Sequence, residues 1–282
     1  MKLIPYSELT AESAAAGCLV IDMPSDDYHA YPAWNKSSLD LIARSPAHYK
    51  FSAPREDSRA MEIGSAVHAA VLEPEVFKRD YILLQDVTDR RSSVYKEAVK
   101  VHGSALVLTG TEAVMVECIR ETVQHDIIRR PGHAEITAFA TCSETGLLIK
   151  CRFDYLTLCG AAIDLKTTQD ARPAEFANSV YNYRYHVQDA FYRHVYRHAT
   201  GKELSSFSLL AVEKDAPYFS AVYELDQDAQ EVGKYYAMRD LKTAAECERS
   251  CSWPMPSVKD EPLQLPSWAY SQYESDIEES IT

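Results

Sequence analysis

The 282-residue chain has no run of 18 or more consecutive apolar residues, the length a membrane-spanning helix needs. No membrane association is expected. The opening residues, Met1 to Glu8, lack the long apolar core of a secretory signal, and the apolar stretch 14–20 follows acidic residues instead of basic ones. A cytoplasmic protein is therefore expected. Cysteine spacing is equally uninformative of a framework. Seven cysteines, an odd number, sit at 18, 118, 142, 151, 159, 247 and 251, with no Cys-x2-Cys pair. This excludes a disulfide scaffold, and neither structural zinc nor an iron–sulfur cluster is expected. No Gly-x-Ser-x-Gly or Walker-type run is present, which argues against a nucleophile-elbow hydrolase or a P-loop enzyme. Nor is there an excess of positive charge: the net of −13 excludes a polycation that coats nucleic acid without specificity.

What remains is an ordinary globular composition, 46% hydrophobic and 25% charged, with the charge unevenly spread. Residues 252–282 hold six acids against one lysine. Residues 172–202 hold five Arg or Lys side chains against two acids, plus three histidines. Residues 1–34 read as an irregular arm with room for short structured pieces, 35–250 as the main domain and 251–282 as an acidic tail containing Pro and Ser. Within the domain, the patterns predict helices over 37–44, 61–72, 93–101 and 111–129, then strands over 134–142, 147–158 and 161–167. Helices over 173–180 and 184–199, strands over 205–213 and 218–225, and a long helix over 227–249 complete it. That order predicts an α/β fold with a mixed central sheet flanked by helices.

The strand pattern also picks out a candidate site. In Ile163-Asp164-Leu165-Lys166-Thr167-Thr168, alternation puts Asp164 and Lys166 on one face. In residues 147–156, Ile149, Cys151, Phe153 and Tyr155 form an apolar face, with Lys150, Arg152 and Asp154 opposite. A hairpin between the two strands would set Asp154 beside Asp164. Two carboxylates and an ammonium at one strand end suit a divalent cation and an activated water, a combination fit for phosphodiester hydrolysis. Asp154 alone reads equally as part of a solvated charged face.

Three further patterns stay open at this level. Gly64-x3-His68 lies on one helix face, and His68 is either a packing residue among alanines or a metal ligand. Gln188-x3-Tyr192 aligns an amide and a phenol, either to dock the helix on the sheet or to donate to a phosphate. Arg193 and Arg197, four apart on that helix, would offer charge-assisted bonds to a DNA backbone; Arg152 and Arg184 are candidates for the same role. Glu135, at the start of the first central strand, is either an additional acid near the metal or a surface carboxylate.

Taken in order, Gly64-x3-His68, Asp154, Asp164-Leu165-Lys166 and Gln188-x3-Tyr192 resemble the PD-(D/E)xK nuclease superfamily. Within it they look like the RecB-like branch that holds the RecE-type exonucleases, the exodeoxyribonuclease VIII family. Ser37-Ser38-Leu39 and Ser45-Pro46 match that family's opening segment, and the resemblance covers residues 35 to about 225. It implies a PD-(D/E)xK nuclease-like sheet and a Mg²⁺-dependent exonuclease, with Mn²⁺ as a substitute, acting on linear double-stranded DNA. His68, Asp154, Asp164 and the backbone carbonyl of Leu165 would ligate the metal. Lys166 would orient or deprotonate the attacking water, and Gln188 and Tyr192 would steady water or phosphate. The resemblance also implies 5′ to 3′ resection, a ring-like tetramer and a RecT-type single-strand annealing partner. Ser45 stands where iron–sulfur relatives carry a cysteine, so no such cluster is implied. An endonuclease of structure-specific or restriction type, or a catalytically silent DNA-binding scaffold, would use the same fold.

Overall fold

A computed structural model describes residues 3–53, 58–123, 126–256 and 262–281. Its strands are β1 (Leu3–Pro5), β2 (Cys18–Ile21), β3 (Ile82–Leu84), β4 (Val107–Thr109), β5 (Gly132–Thr141), β6 (Leu148–Thr157), β7 (Ala161–Thr168), β8 (Ser206–Glu213) and β9 (Ser220–Tyr223). The helices include α1 (Ala11–Ala16), α2 (Ser25–Ala30), α3 (Lys36–Arg44), α4 (Pro46–Phe51), α5 (Arg59–Leu72), α6 (Pro74–Asp80) and α7 (Ser93–His102). They continue with α8 (Gly110–Thr122), α9 (Asp126–Arg129), α10 (Pro173–Asn182), α11 (Tyr185–Thr200), α12 (Gln227–Ser250) and α13 (Ser267–Ile281).

Seven strands form one mixed sheet in the order β1-β2-β5-β6-β7-β8-β9. The meander β5-β6-β7 is antiparallel, and β7 pairs with β8 in parallel. Parallel neighbours require a crossover, and α10 and α11 supply it. The central strands are buried on both faces, so their apolar residues divide between two cores. Phe207, Leu209 and Ala211 of β8 pack with Val187, Phe191 and Val195 of α11 and with Leu241 of α12. Leu210 and Val212 point the other way, joining Ile163 and Leu165 of β7 against Ala66 and Val67 of α5 and Val116 of α8.

α11 and α12 approach so closely that only glycine fits at one crossing point. A Cβ on Gly233 would stand 2.0 Å from the His186 carbonyl oxygen. This contact sets the height of the first turn of α11, two residues before Gln188.

The short structured pieces of the first 34 residues do not hang free as an arm but join the main sheet. Thr10 closes a capping box on α1. β1 pairs with β2, and β2 pairs with β5, so this segment extends the sheet. It also covers the charged face of β6. Lys150 is only 1% exposed, donates to the carbonyls of Tyr28 and Tyr31 (2.7 Å to the latter), and lies 4.6 Å from the Tyr28 ring centroid. Burial, with Arg152 nearby, lowers its pKa to about 8.

The single helix expected over 111–129 divides into α8 and α9, and residues 124 and 125 lie outside the described residues. In the acidic tail, Lys259, Asp260 and Glu261 also lie outside them, while 267–281 form α13 with Trp268 and Tyr273 exposed.

Candidate active site

Strict alternation fails in β6 at the point where the site is built. Phe153 and Leu156, three residues apart, share the core under α11, whereas Tyr155 packs into the opposite core. The β5–β6 register pairs Ala134 with Tyr155 and Ile136 with Phe153, and Glu135 between them has φ of +53°. A non-glycine residue in the left-handed region costs about 1–2 kcal/mol. Asp154 stays on the cleft side with Arg152, and its carboxylate reaches toward β7.

On the β7 side only Tyr155–Ile163 and Leu156–Ala162 are paired, after which the strands part. The gap is bridged by the Leu165 amide, which donates to Asp154 Oδ2 at 2.7 Å. His68, reaching down from α5, places Nδ1 3.3 Å from the same oxygen. One ligand atom each from His68, Glu135 and Asp154 falls within a mutual distance of 4.8 Å. Glu135, open between two readings in the sequence, thus stands in the cluster.

Asp164 lies next to this trio, 2% exposed. Its Oδ1 accepts from Gln188 Nε2 at 2.5 Å, and its Oδ2 is 2.6 Å from Lys166 Nζ. Leu165 meets Asp154 through its N–H, a different group from the carbonyl that the resemblance assigns to the metal. Burial would pull the Lys166 ammonium down, but Asp164 and Asp154 outweigh it and raise its pKa to about 12. The Lys166 ammonium is thus held against the carboxylate pair at the cleft floor. Its ammonium also lies 4.6 Å from the centroid of Tyr185, a residue with no signal in the sequence pattern beyond its place at the start of α11.

The carboxylates are crowded. Glu135 is raised to about 8, first by burial and then by Asp154, with Arg152 pulling the other way. Asp154 is raised to about 6, again first by burial, with His68 opposing and Asp164 adding repulsion. A divalent cation would relieve both. The donor set of carboxylate oxygens and one imidazole fits Mg²⁺ or Mn²⁺.

The cluster lies in a cleft of about 1370 Å³ walled by α2, α3, α5 and α6 and floored by β5–β7. Tyr192 also faces the cleft, and its ring meets Phe153 and Phe207 edge-on at 5.3 and 5.7 Å. Burial raises its phenol well above the usual range. Glu73, absent from the sequence candidates, lines the cleft just past the end of α5, with its pKa raised by burial. The lining holds six carboxylates against five Lys or Arg groups among the described residues.

The four candidate arginines separate. Arg152 Nε sits 3.2 Å from Glu135 Oε2, and the guanidinium also donates to the Met23 carbonyl, so Arg152 braces the site. Arg184 lines the cleft but spans Asp40, at 2.9 Å, and Asp240, tying α3 and α12 to the start of α11. Arg193 and Arg197 are not in the cleft lining. They pair with Asp189 at 2.5 Å and Glu203 at 3.2 Å. Periodicity along α11 aligned them with each other, but their stripe lies outside the cleft lining.

A strand-bridging Asp, an Asp-x-Lys on the next strand and a helix-borne Gln behind them define a PD-(D/E)xK site on a mixed sheet. The chain belongs to the family described as a PDDEXK-like domain of unknown function (DUF3799), whose model matches residues 31–264. A crystal structure from Eubacterium rectale, named a "Putative exonuclease", superposes with a TM-score of 0.60 at 14% identity. The match covers 87% of this chain and 96% of that one, and establishes a shared fold. No curated protein sequence matches significantly. No described helix is long and apolar enough to cross a membrane.

Proposed function

We propose that the protein is a metal-dependent exodeoxyribonuclease that resects one strand of linear double-stranded DNA. The observation that carries this reading is the convergence of His68, Glu135, Asp154 and Lys166 on the floor of one cleft, with Asp164 buried behind them against Lys166. His68, Glu135, Asp154 and Asp164 would hold the cation, which when bound supplies Lewis-acid polarisation of a phosphoryl oxygen and of water.

The protein's own groups do the remaining work. Lys166 offsets negative charge that builds at the phosphorus and orients the attacking water. Gln188 holds Asp164 in one rotamer, and the Leu165 amide does the same for Asp154. Tyr185 beneath the ammonium and Tyr192 at the cleft wall exclude bulk water, which strengthens these charge interactions. Because carboxylates outnumber cations in the lining, cation binding is also what makes the cleft receptive to a phosphate backbone.

The RecE-type assignment, 5′ to 3′ polarity, a ring-like tetramer and a RecT-type annealing partner complete the proposal and rest on the motif resemblance. End-labelled linear duplex and covalently closed circular DNA, each with Mg²⁺, provide the test. Shortening of one strand of the linear substrate with the circle untouched is expected. Linearisation of the circle would replace the exonuclease with an endonuclease, and no cleavage of either would overturn the reading.

A further inference from the structure

At the far end of α11 a second cluster joins residues about fifty positions apart in sequence. Cys142 and Glu144 lie in the turn between β5 and β6. His194 and His198 are four apart on α11, one above the other. Cys142 Sγ is 3.3 Å from His194 Nε2 and 3.4 Å from Glu144 Oε2. That carboxylate oxygen is 3.9 Å from His194 Nε2 and 3.3 Å from His198 Nε2. Around a tetrahedral zinc, bond lengths of about 2.0–2.3 Å put ligand atoms about 3.3–3.6 Å apart. Cys142 to His194, Cys142 to Glu144 and Glu144 to His198 already have that spacing; Cys142, Glu144 and His194 form the mutually close trio, and His198 joins it through Glu144.

The orientation of His198 is an independent sign. Its Nδ1 lies 2.9 Å from the His194 carbonyl oxygen, so Nδ1 carries the proton and donates it there. Its Nε2 then faces Glu144 Oε2 at 3.3 Å and Ser143 Oγ at 2.9 Å. A backbone carbonyl fixing the tautomer of an imidazole is the usual support of a metal-ligating histidine.

We propose that Cys142, Glu144, His194 and His198 bind a zinc ion that pins the β5–β6 turn to the C-terminal half of α11. Thiolate and two imidazoles select a borderline transition metal over the hard cation suited to the catalytic cleft. Binding displaces the Cys142 thiol proton to solvent. Cysteine spacing gave no hint of this, because only one ligand is a cysteine. From Gln188 to His194 and His198, helical rise separates the centres by roughly 9–15 Å along α11. The zinc is thus structural, and holds the helix that positions Gln188 and Tyr192.

The test uses the full chain purified without a polyhistidine tag. Elemental analysis after dialysis should find one zinc per chain. Cobalt replacement should give the visible absorption of a tetrahedral site with a thiolate-to-cobalt band. Cys142→Ser should remove the thiolate band, and Glu144→Gln and His198→Gln should abolish stoichiometric retention. Glu144 is half-exposed, so its variant tests binding in a folded chain, checked by circular dichroism. Asp154→Asn should leave zinc content unchanged, which separates this site from the cleft. Absence of retained zinc together with no tetrahedral cobalt spectrum would reduce the cluster to a hydrogen-bonded clasp and overturn the proposal. Equal zinc in wild type and all three cluster variants would do the same.

Discussion

Replacing Glu135 by Gln tests the electrostatic logic of the candidate active site without relying on turnover. Glu135 is raised from its ordinary 4.5 to about 8 in the folded protein. A raised acid binds more protons folded than unfolded, so its contribution is intact below about 4.5 and is lost as pH climbs toward 8. Each pKa unit corresponds to 1.36 kcal/mol. Glu135 is about a third exposed, so the full shift must be discounted, leaving on the order of 2 kcal/mol at pH 8. Cation-free Glu135→Gln should therefore melt roughly 4–8 °C above cation-free wild type at pH 8, at about 2–4 °C per kcal/mol, and level with it near pH 4. Mg²⁺ at about 100 times its dissociation constant should return about 2.7 kcal/mol to wild type, and clearly less to the variant. Differential scanning fluorimetry across pH 4–8, with and without Mg²⁺, reads both effects. Parallel melting curves for the two proteins at every pH, or equal gains from Mg²⁺, would refute the idea that Glu135 belongs to a cation site.

Lys166→Met should slow cleavage by roughly 10²–10³-fold while leaving Mg²⁺ affinity, measured by calorimetry, nearly unchanged; parallel loss of both would contradict a role at the developing charge. Gln188→Leu removes the 2.5 Å donor to Asp164, a bond to a charged group worth about 1.5–3 kcal/mol, so turnover should fall about 10–100-fold without loss of fold. Arg193→Ala with Arg197→Ala should leave the salt dependence of duplex binding unchanged, whereas Arg79→Ala, on the exposed cleft rim, should lower its slope by about 1. Gly233→Ala should lower stability by about 1–3 kcal/mol in thermal melts, since the new methyl must push α12 off the His186 carbonyl.

Much of this architecture was legible because its elements are long. Ten-residue strands and the sixteen-residue α11 show their period over several repeats, and Asp164-x-Lys166 shares a face as alternation requires. The N-terminal strands have three and four residues, too few to display any period, and form only because β5 offers an open edge. The same limit hid β3 and β4, a three-residue parallel pair. Within the site, His68, Asp154, Asp164 and Gln188 carried a signal through ordered motifs. The break at Glu135 did not, because a residue with φ of +53° is held there by tertiary contacts and not by its own preference. Nor could spacing show that Arg193 and Arg197 lie outside the cleft lining, since helical periodicity gives relative angles but not the absolute direction of a face.

The family match begins at residue 31, beyond β1, β2, α1 and α2. Trimming the protein to that boundary would strip β5 of its neighbour and leave unanswered amides and carbonyls along Thr137–Phe139. The same cut would remove the Tyr28 carbonyl and ring that cover Lys150, and would free Arg152 from its carbonyl anchor at Met23. A fragment chosen by homology alone would thus be prone to edge-to-edge association, and its loosened Arg152 would no longer hold Glu135 in place.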